Sequence, residues 1–190
     1  MFGSKKQGEP HYQDRLRNRL ERLPLCNPPA PWRLVGGSFI GGLTEIGFIG
    51  GTADLLVVSS EGRALFDTLT GQKLSHDPSP RFEDPCAIHR MVPAIGKHIG
   101  IAVALVGPHG GGLSRATDDG WLIDVIPLPW PCHYLFLSSN YLRAFDGGGH
   151  TWKLCDDAPW SFRAAGFSDS GSTFVFATSG EIVIYSRAEG

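Results

Sequence analysis

From Leu34 onward the chain alternates short apolar runs with clusters of Gly, Ser, Asp and Pro. The runs fall at 44–49, 55–59, 63–67, 99–106, 121–126, 134–138, 141–145, 164–167, 173–177 and 181–186. Runs of four to eight residues rich in Val, Ile, Phe and Tyr, bounded by turn residues, predict β-strands. Upstream the period changes. Leu16, Leu20 and Leu23 recur at intervals of four and three among arginines, which predicts a helix over 12–23. Pro24 ends it, and Pro28, Pro29 and Pro31 make a stiff lead-in to Trp32. The chain thus divides into a helical arm, 1–33, and an all-β domain, 34–190.

The strands also echo one another. Leu56-Val57-Val58-Ser59-Ser60, then Leu65-Phe66-Asp67 and Lys73-Leu74, parallels Leu135-Phe136-Leu137-Ser138-Ser139, then Ala144-Phe145-Asp146 and Lys153-Leu154. Val103–Val106 with Leu113-Ser114-Arg115, and Phe174–Ala177 with Ile182–Tyr185, give two further copies. Aligned on their middle strands, Phe66, Ser114, Phe145 and Tyr185 lie 48, 31 and 40 residues apart. A mean near 40 matches one four-stranded propeller blade. A sheet with two apolar faces cannot bury both alone, whereas stacked sheets cover one another.

Three turns carry a further signal. Asp118-Asp119-Gly120 follows Leu113-Ser114-Arg115-Ala116-Thr117, Asp146-Gly147-Gly148-Gly149-His150-Thr151-Trp152 closes another hairpin, and Asp169-Ser170-Gly171-Ser172-Thr173-Phe174 a third. These resemble the Asp-box of BNR-repeat β-propellers, a family that includes sialidases and photosystem II assembly-factor-like propellers. The resemblance spans about residues 40–188. It implies a small or partial β-propeller of about four blades with an N-terminal helical arm. It also implies structural roles for Asp118, Gly120, Asp146, Gly148, Trp152, Asp169 and Gly171: the carboxylates bind backbone N–H groups, the glycines take left-handed backbone, and the aromatics fill gaps between blades. Closure at four blades is minimal, so an open edge needs a cover, either the arm or a second copy of the chain.

Charge changes the picture only locally. The net charge is −2, but residues 1–33 carry seven basic and three acidic groups, leaving −6 on the rest. The arm reads either as a grip for an acidic partner or RNA, or as a solvated helix whose leucines pack on their own domain. Nucleic acid is the disfavoured partner. No window approaches the ~18 apolar residues of a membrane span and no signal peptide opens the chain, so a cytoplasmic protein is expected. Four scattered cysteines with no C-x-x-C read as buried thiols.

Candidate chemistry is sparse. A sialidase needs an arginine trio, a Tyr–Glu nucleophile pair and an acid Asp, and commonly six blades; glutamates after the arm are few. Gly107-Pro108-His109-Gly110-Gly111-Gly112 lacks the Lys-Ser/Thr ending of a P-loop. The histidines show no metal-ligand spacing, so no metal, cofactor or catalytic residue is expected. Trp130 and Trp160 stand in proline-framed connectors, where a large aromatic is a protein-binding anchor. With His109 and Arg163 they form the expected partner-binding set. The expected function is non-catalytic binding of another protein, as in an immunity protein neutralising a cognate toxin or an assembly factor holding a client. Glycan binding or cleavage, from the sialidase-like boxes, is the alternative.

Overall fold

The structure, a computed structural model, describes residues 12–79, 91–146 and 150–187. Helix α1 (Tyr12–Arg22) comes first, then strands β1 (Arg33–Phe39), β2 (Leu43–Phe48), β3 (Asp54–Ser59), β4 (Gly62–Asp67) and β5 (Lys73–Asp77). After residues 80–90 follow β6 (Met91–Pro93) and β7 (Ala102–Ala104). Strands β8 (Leu122–Pro127), β9 (His133–Ser138) and β10 (Thr151–Asp156) come next. The last three are β11 (Phe162–Phe167), β12 (Thr173–Thr178) and β13 (Glu181–Ser186). All pairings between them are antiparallel, in sheets ordered β1-β13-β12-β11, β2-β3-β4-β5, β6-β7 and β10-β9-β8. The protein is all-β with one N-terminal helix. Among the described residues no helix is long and apolar enough to cross a membrane.

Alternation along the strands explains how the sheets stack. In β3, Leu55 and Val57 face one cluster with Val175, Ala177, Ile182 and Ile184, while Leu56 and Val58 face another with Val92, Val103 and Leu105. In β12, Val175 and Ala177 face the first of these, whereas Phe174 and Phe176 turn to Leu135, Leu137 and Trp32. Both faces of β12 are therefore covered, and all six of its residues are buried. That is why Thr173–Thr178 reads as a nearly unbroken apolar run. Phe174 stacks on Tyr185 at 4.5 Å between centroids and meets Trp32 edge-on at 4.8 Å. Such pairs add about 0.5–1.5 kcal/mol each beyond simple burial.

The leucine stripe of α1 packs on its own domain. Leu20 is fully buried among Ile126, Leu128, Phe136 and Ala144, covering the face of β8 and β9 that turns away from β12. Arg19 and Arg22 favour the last turn of α1 through the helix dipole. Lys153 caps that end, donating from Nζ to the Glu21 carbonyl at 3.0 Å while lying 4.3 Å above the Tyr134 ring. Just beyond, Leu25 bridges Lys153 in parallel and Cys26 N–H donates to the Lys153 carbonyl at 2.9 Å.

Several expectations need correction. The run 141–145 is no strand: Asn140 and Tyr141 have φ of 62° and 60°, and a 3-10 turn spans Ala144–Asp146. Phe145 therefore has no middle-strand equivalence with Phe66 and Tyr185. Of 99–106 only Ala102–Ala104 is strand: the chain turns at Gly100, which has φ of 95°, and Val106 makes only an isolated bridge, to Ile46. Ser114 makes only an isolated bridge, to Phe167. The thiols are not a buried set. Cys26 is exposed and Cys132 and Cys155 are half-buried, while Cys86 lies outside the described residues.

Candidate functional site

Two connectors meet at the end of the gap between the sheets of β9 and β12. One, between β8 and β9, carries Trp130; the other, between β10 and β11, carries Trp160. The first is anchored by buried Leu128, whose N–H donates to the Cys132 carbonyl at 2.9 Å, and Cys132 N–H returns to Pro129 at 2.9 Å. In the second, Ser161 and Ser179 exchange bonds: Ser161 N–H to Ser179 Oγ at 3.1 Å, Ser179 N–H to the Ser161 carbonyl at 2.8 Å. Pro129, Pro131 and Pro159 each follow a cis peptide bond.

Asp157 staples the connectors together. Its Oδ1 accepts His133 N–H at 2.8 Å, and its Oδ2 accepts Phe162 N–H at 3.1 Å and faces His133 Nδ1 at 2.8 Å. Asp157 N–H donates in turn to the His133 carbonyl at 3.0 Å. A carboxylate only 3% exposed is thereby supplied with donors, as a buried acid must be. Burial, then the bond to Asp157, pushes the Cys132 thiol up, so it stays protonated and is a poor nucleophile.

The cleft between the connectors has a volume of about 520 Å³. Trp130, 74% exposed, and Trp160, 42% exposed, line it with His133, Asp157 and Phe162. Trp130 meets His133 edge-on at 6.1 Å, and His133 lies 5.6 Å from Phe162. The Trp160 indole rests on Gly180, where a Cβ would come within 2.3 Å of it. Thus two of the four residues expected to bind a partner share one cleft, and the other two lie elsewhere. Arg163 Nε donates to the Leu43 carbonyl at 3.0 Å, tying β11 to β2. His109 is exposed on the glycine-rich hairpin, with Nδ1 3.7 Å from Glu45 Oε1.

The Asp-box turns lie apart from this cleft. In the first, the Thr117 hydroxyl, not a carboxylate, accepts Trp121 N–H at 3.0 Å. Gly120 there has φ of 91°, and the hydroxyl of Tyr141 donates to the Asp118 carbonyl. Asp119, next to Asp118, pairs with Arg187, whose guanidinium sits 5.0 Å over the Trp32 ring. In the second, Asp146 Oδ2 accepts Arg143 N–H at 2.7 Å, and Gly148 lies outside the described residues. Trp152 is half-buried between the rings of Trp121 and His150. In the third, Asp169 is exposed, Gly171 has φ of 66°, and the Ser168 hydroxyl accepts Thr173 N–H at 3.3 Å.

His133 and Asp157 were not among the residues expected from the sequence. They stand 24 positions apart, and the one available signal is that each flanks a Trp-Pro or Pro-Trp connector. Among the described residues no group of three or more His, Cys, Asp or Glu side chains is placed to hold a metal ion. Comparison with models of protein families, with curated proteins and with solved structures found no match to this chain.

Proposed function

We propose that this chain is a non-catalytic binding module whose Trp130–Trp160 cleft receives a segment of another protein. The observation that carries this reading is that two exposed tryptophans, 30 residues apart, stand over one cleft whose connectors are pinned by a buried Asp157. Large aromatics on a braced frame lose little entropy on contact and dominate binding energy at protein interfaces. One local feature is in keeping with binding rather than chemistry: burial holds the Cys132 thiol protonated, which makes it a poor nucleophile.

The frame fits a short, propeller-like stack of about four sheets. Each of the sheets of β2–β5 and β11–β13 is covered on both faces, and α1 packs on the outer face of β8 and β9. Pairing of β1 with β13 joins early and late chain in one sheet, a closure that suits a propeller of the BNR type. Neutralising a toxin and holding an assembly client are both versions of the role.

The test is co-purification from the native cell using the full chain and its Trp130→Ala/Trp160→Ala variant. A partner retained by the parent chain and lost by the double variant is expected. Identical partner sets for the two proteins would overturn the assignment.

A further inference from the structure

We propose that Cys26 and Cys155 are a matched pair of thiols that a small disulfide oxidant, such as glutathione disulfide, closes into a cross-link fastening the lead-in of the arm to β10. Nothing in this pairing depends on what the Trp130–Trp160 cleft binds.

Strand register brings the two residues together although they stand 129 positions apart. Leu25 bridges Lys153 in parallel and Cys26 N–H donates to the Lys153 carbonyl at 2.9 Å, so the lead-in runs beside β10 as a short ribbon. Residues level with one another in such a pair share a face, and successive residues alternate. Lys153 points to the α1 face, where its ammonium lies over Tyr134, and Leu23 packs in the same cluster as that ring. Leu25, level with Lys153, shares that face. Cys26 therefore turns to the opposite one, toward Leu154 and Tyr185.

An unbroken β10 would put Cys155 on the Lys153 side, away from Cys26. A bulge prevents this: Lys153 stands opposite Phe136 and Cys155 opposite Leu135, with Leu154 the extra residue between them. Phe136 belongs to the α1 cluster and Leu135 to the other, so Cys155 comes round to the face of Cys26, where Leu154 also packs. Parallel strands about 4.8 Å apart, with a rise of about 3.3 Å, hold residues one step out of level at about 6 Å between Cα atoms, inside the window for a disulfide. Tyr185 stands beside both thiols. Burial first, then Cys155, then Cys26 raise its hydroxyl above the ordinary range. Cys132 precedes β9, on the far side of β10 from the lead-in.

The two thiols divide the chemistry. Cys26 is exposed, with Sγ donating to the Lys153 carbonyl at 3.5 Å, whereas burial pushes the Cys155 thiol up to about 12. Cys26, as thiolate, attacks one sulfur of glutathione disulfide and releases one glutathione. Cys155 then loses its proton to solvent, attacks the Cys26 sulfur of the mixed disulfide and releases the second glutathione, which takes up a proton. Two protein thiols are oxidised and the disulfide of the oxidant is reduced. Because Cys155 is seldom ionised, this second step is the slow one, and it quickens as pH rises.

The experiment incubates the full chain with glutathione disulfide in native buffer and maps its peptides without reduction by mass spectrometry. The expected product is a Cys26–Cys155 peptide pair, lighter by two hydrogens and preceded in time by glutathione on Cys26. The cross-linked chain should melt about 5–15 °C higher than the reduced one, and dithiothreitol should reverse the shift. Cys155→Ser, close in size, should stop at the Cys26 adduct; the parent chain decides the pairing whether or not this variant folds. Absence of the pair overturns the proposal, as does joining of Cys26 to Cys86 or Cys132 instead. Equal yield of the pair in urea also overturns it, because the native register would then have played no part. So does a cross-linked chain that melts no higher, since that bridge would have had to distort the fold.

Discussion

Asp119 shows how a single side chain outside the cleft ties distant chain together. The Arg187 guanidinium first, then the Thr117 hydroxyl, hold its carboxyl down at about 2 against an ordinary 3.8. Because the folded value lies below the unfolded one, the pair stabilises the fold above about pH 4, and the contribution fades as pH falls toward about 2. Urea unfolding of the parent chain and Asp119→Asn should therefore differ at pH 6 and converge near pH 2. With the carboxylate half exposed, the difference at pH 6 should stay under about 1 kcal/mol. This scale was only partly legible in the sequence. Trp130 and Trp160 stood out because proline-framed tryptophan belongs to no strand pattern. The His133–Asp157 pair did not, since 24 residues separate them and only the pairing of β9 with β10, which brings Tyr134 opposite Asp156, makes them neighbours.

At the scale of elements, alternation predicted well wherever strands are buried. β2, β3, β4, β8, β9, β11, β12 and β13 all lie within about two residues of their expected ranges, as does α1. β1 was invisible for a physical reason: Arg33-Leu34-Val35-Gly36-Gly37-Ser38-Phe39 is mostly exposed, and its strand conformation is supplied by β13. Residues 141–145 have the apolar content of a strand, yet two left-handed residues at Asn140 and Tyr141 turn the chain aside. Glycine marks where elements approach most closely. A Cβ on Gly166 in β11 would lie 2.0 Å from the Leu113 Cβ, and one on Gly47 in β2 would lie 2.3 Å from the Ala104 carbonyl. Gly166→Ala should cost about 1–3 kcal/mol through overpacking, read as a lower urea midpoint with an unchanged slope.

Over the whole molecule, stability comes from layers that shelter one another, and α1 is one of those layers. Leu20→Ala removes a fully buried side chain from the cluster under α1 and should cost about 2–5 kcal/mol in urea unfolding. A much smaller loss would mean that the arm is dispensable to the fold. The arm was expected to be either a grip or a packed helix, and the packing of Leu20 answers for its apolar stripe. Arg15 and Arg17 stay exposed, and Arg17 pairs with Glu21 one turn on at 3.2 Å. The pairing of β1 with β13 has a consequence during synthesis. Ribosomes add about 5–20 residues per second, so some 7–30 s pass between completing Phe39 and completing Ser186. Throughout that interval a nascent β1, bearing Leu34 and Phe39 with every ladder group unmet, has no native mate. A holdase chaperone that engages extended, greasy segments would find its natural target there, released only when translation delivers the last ribbon.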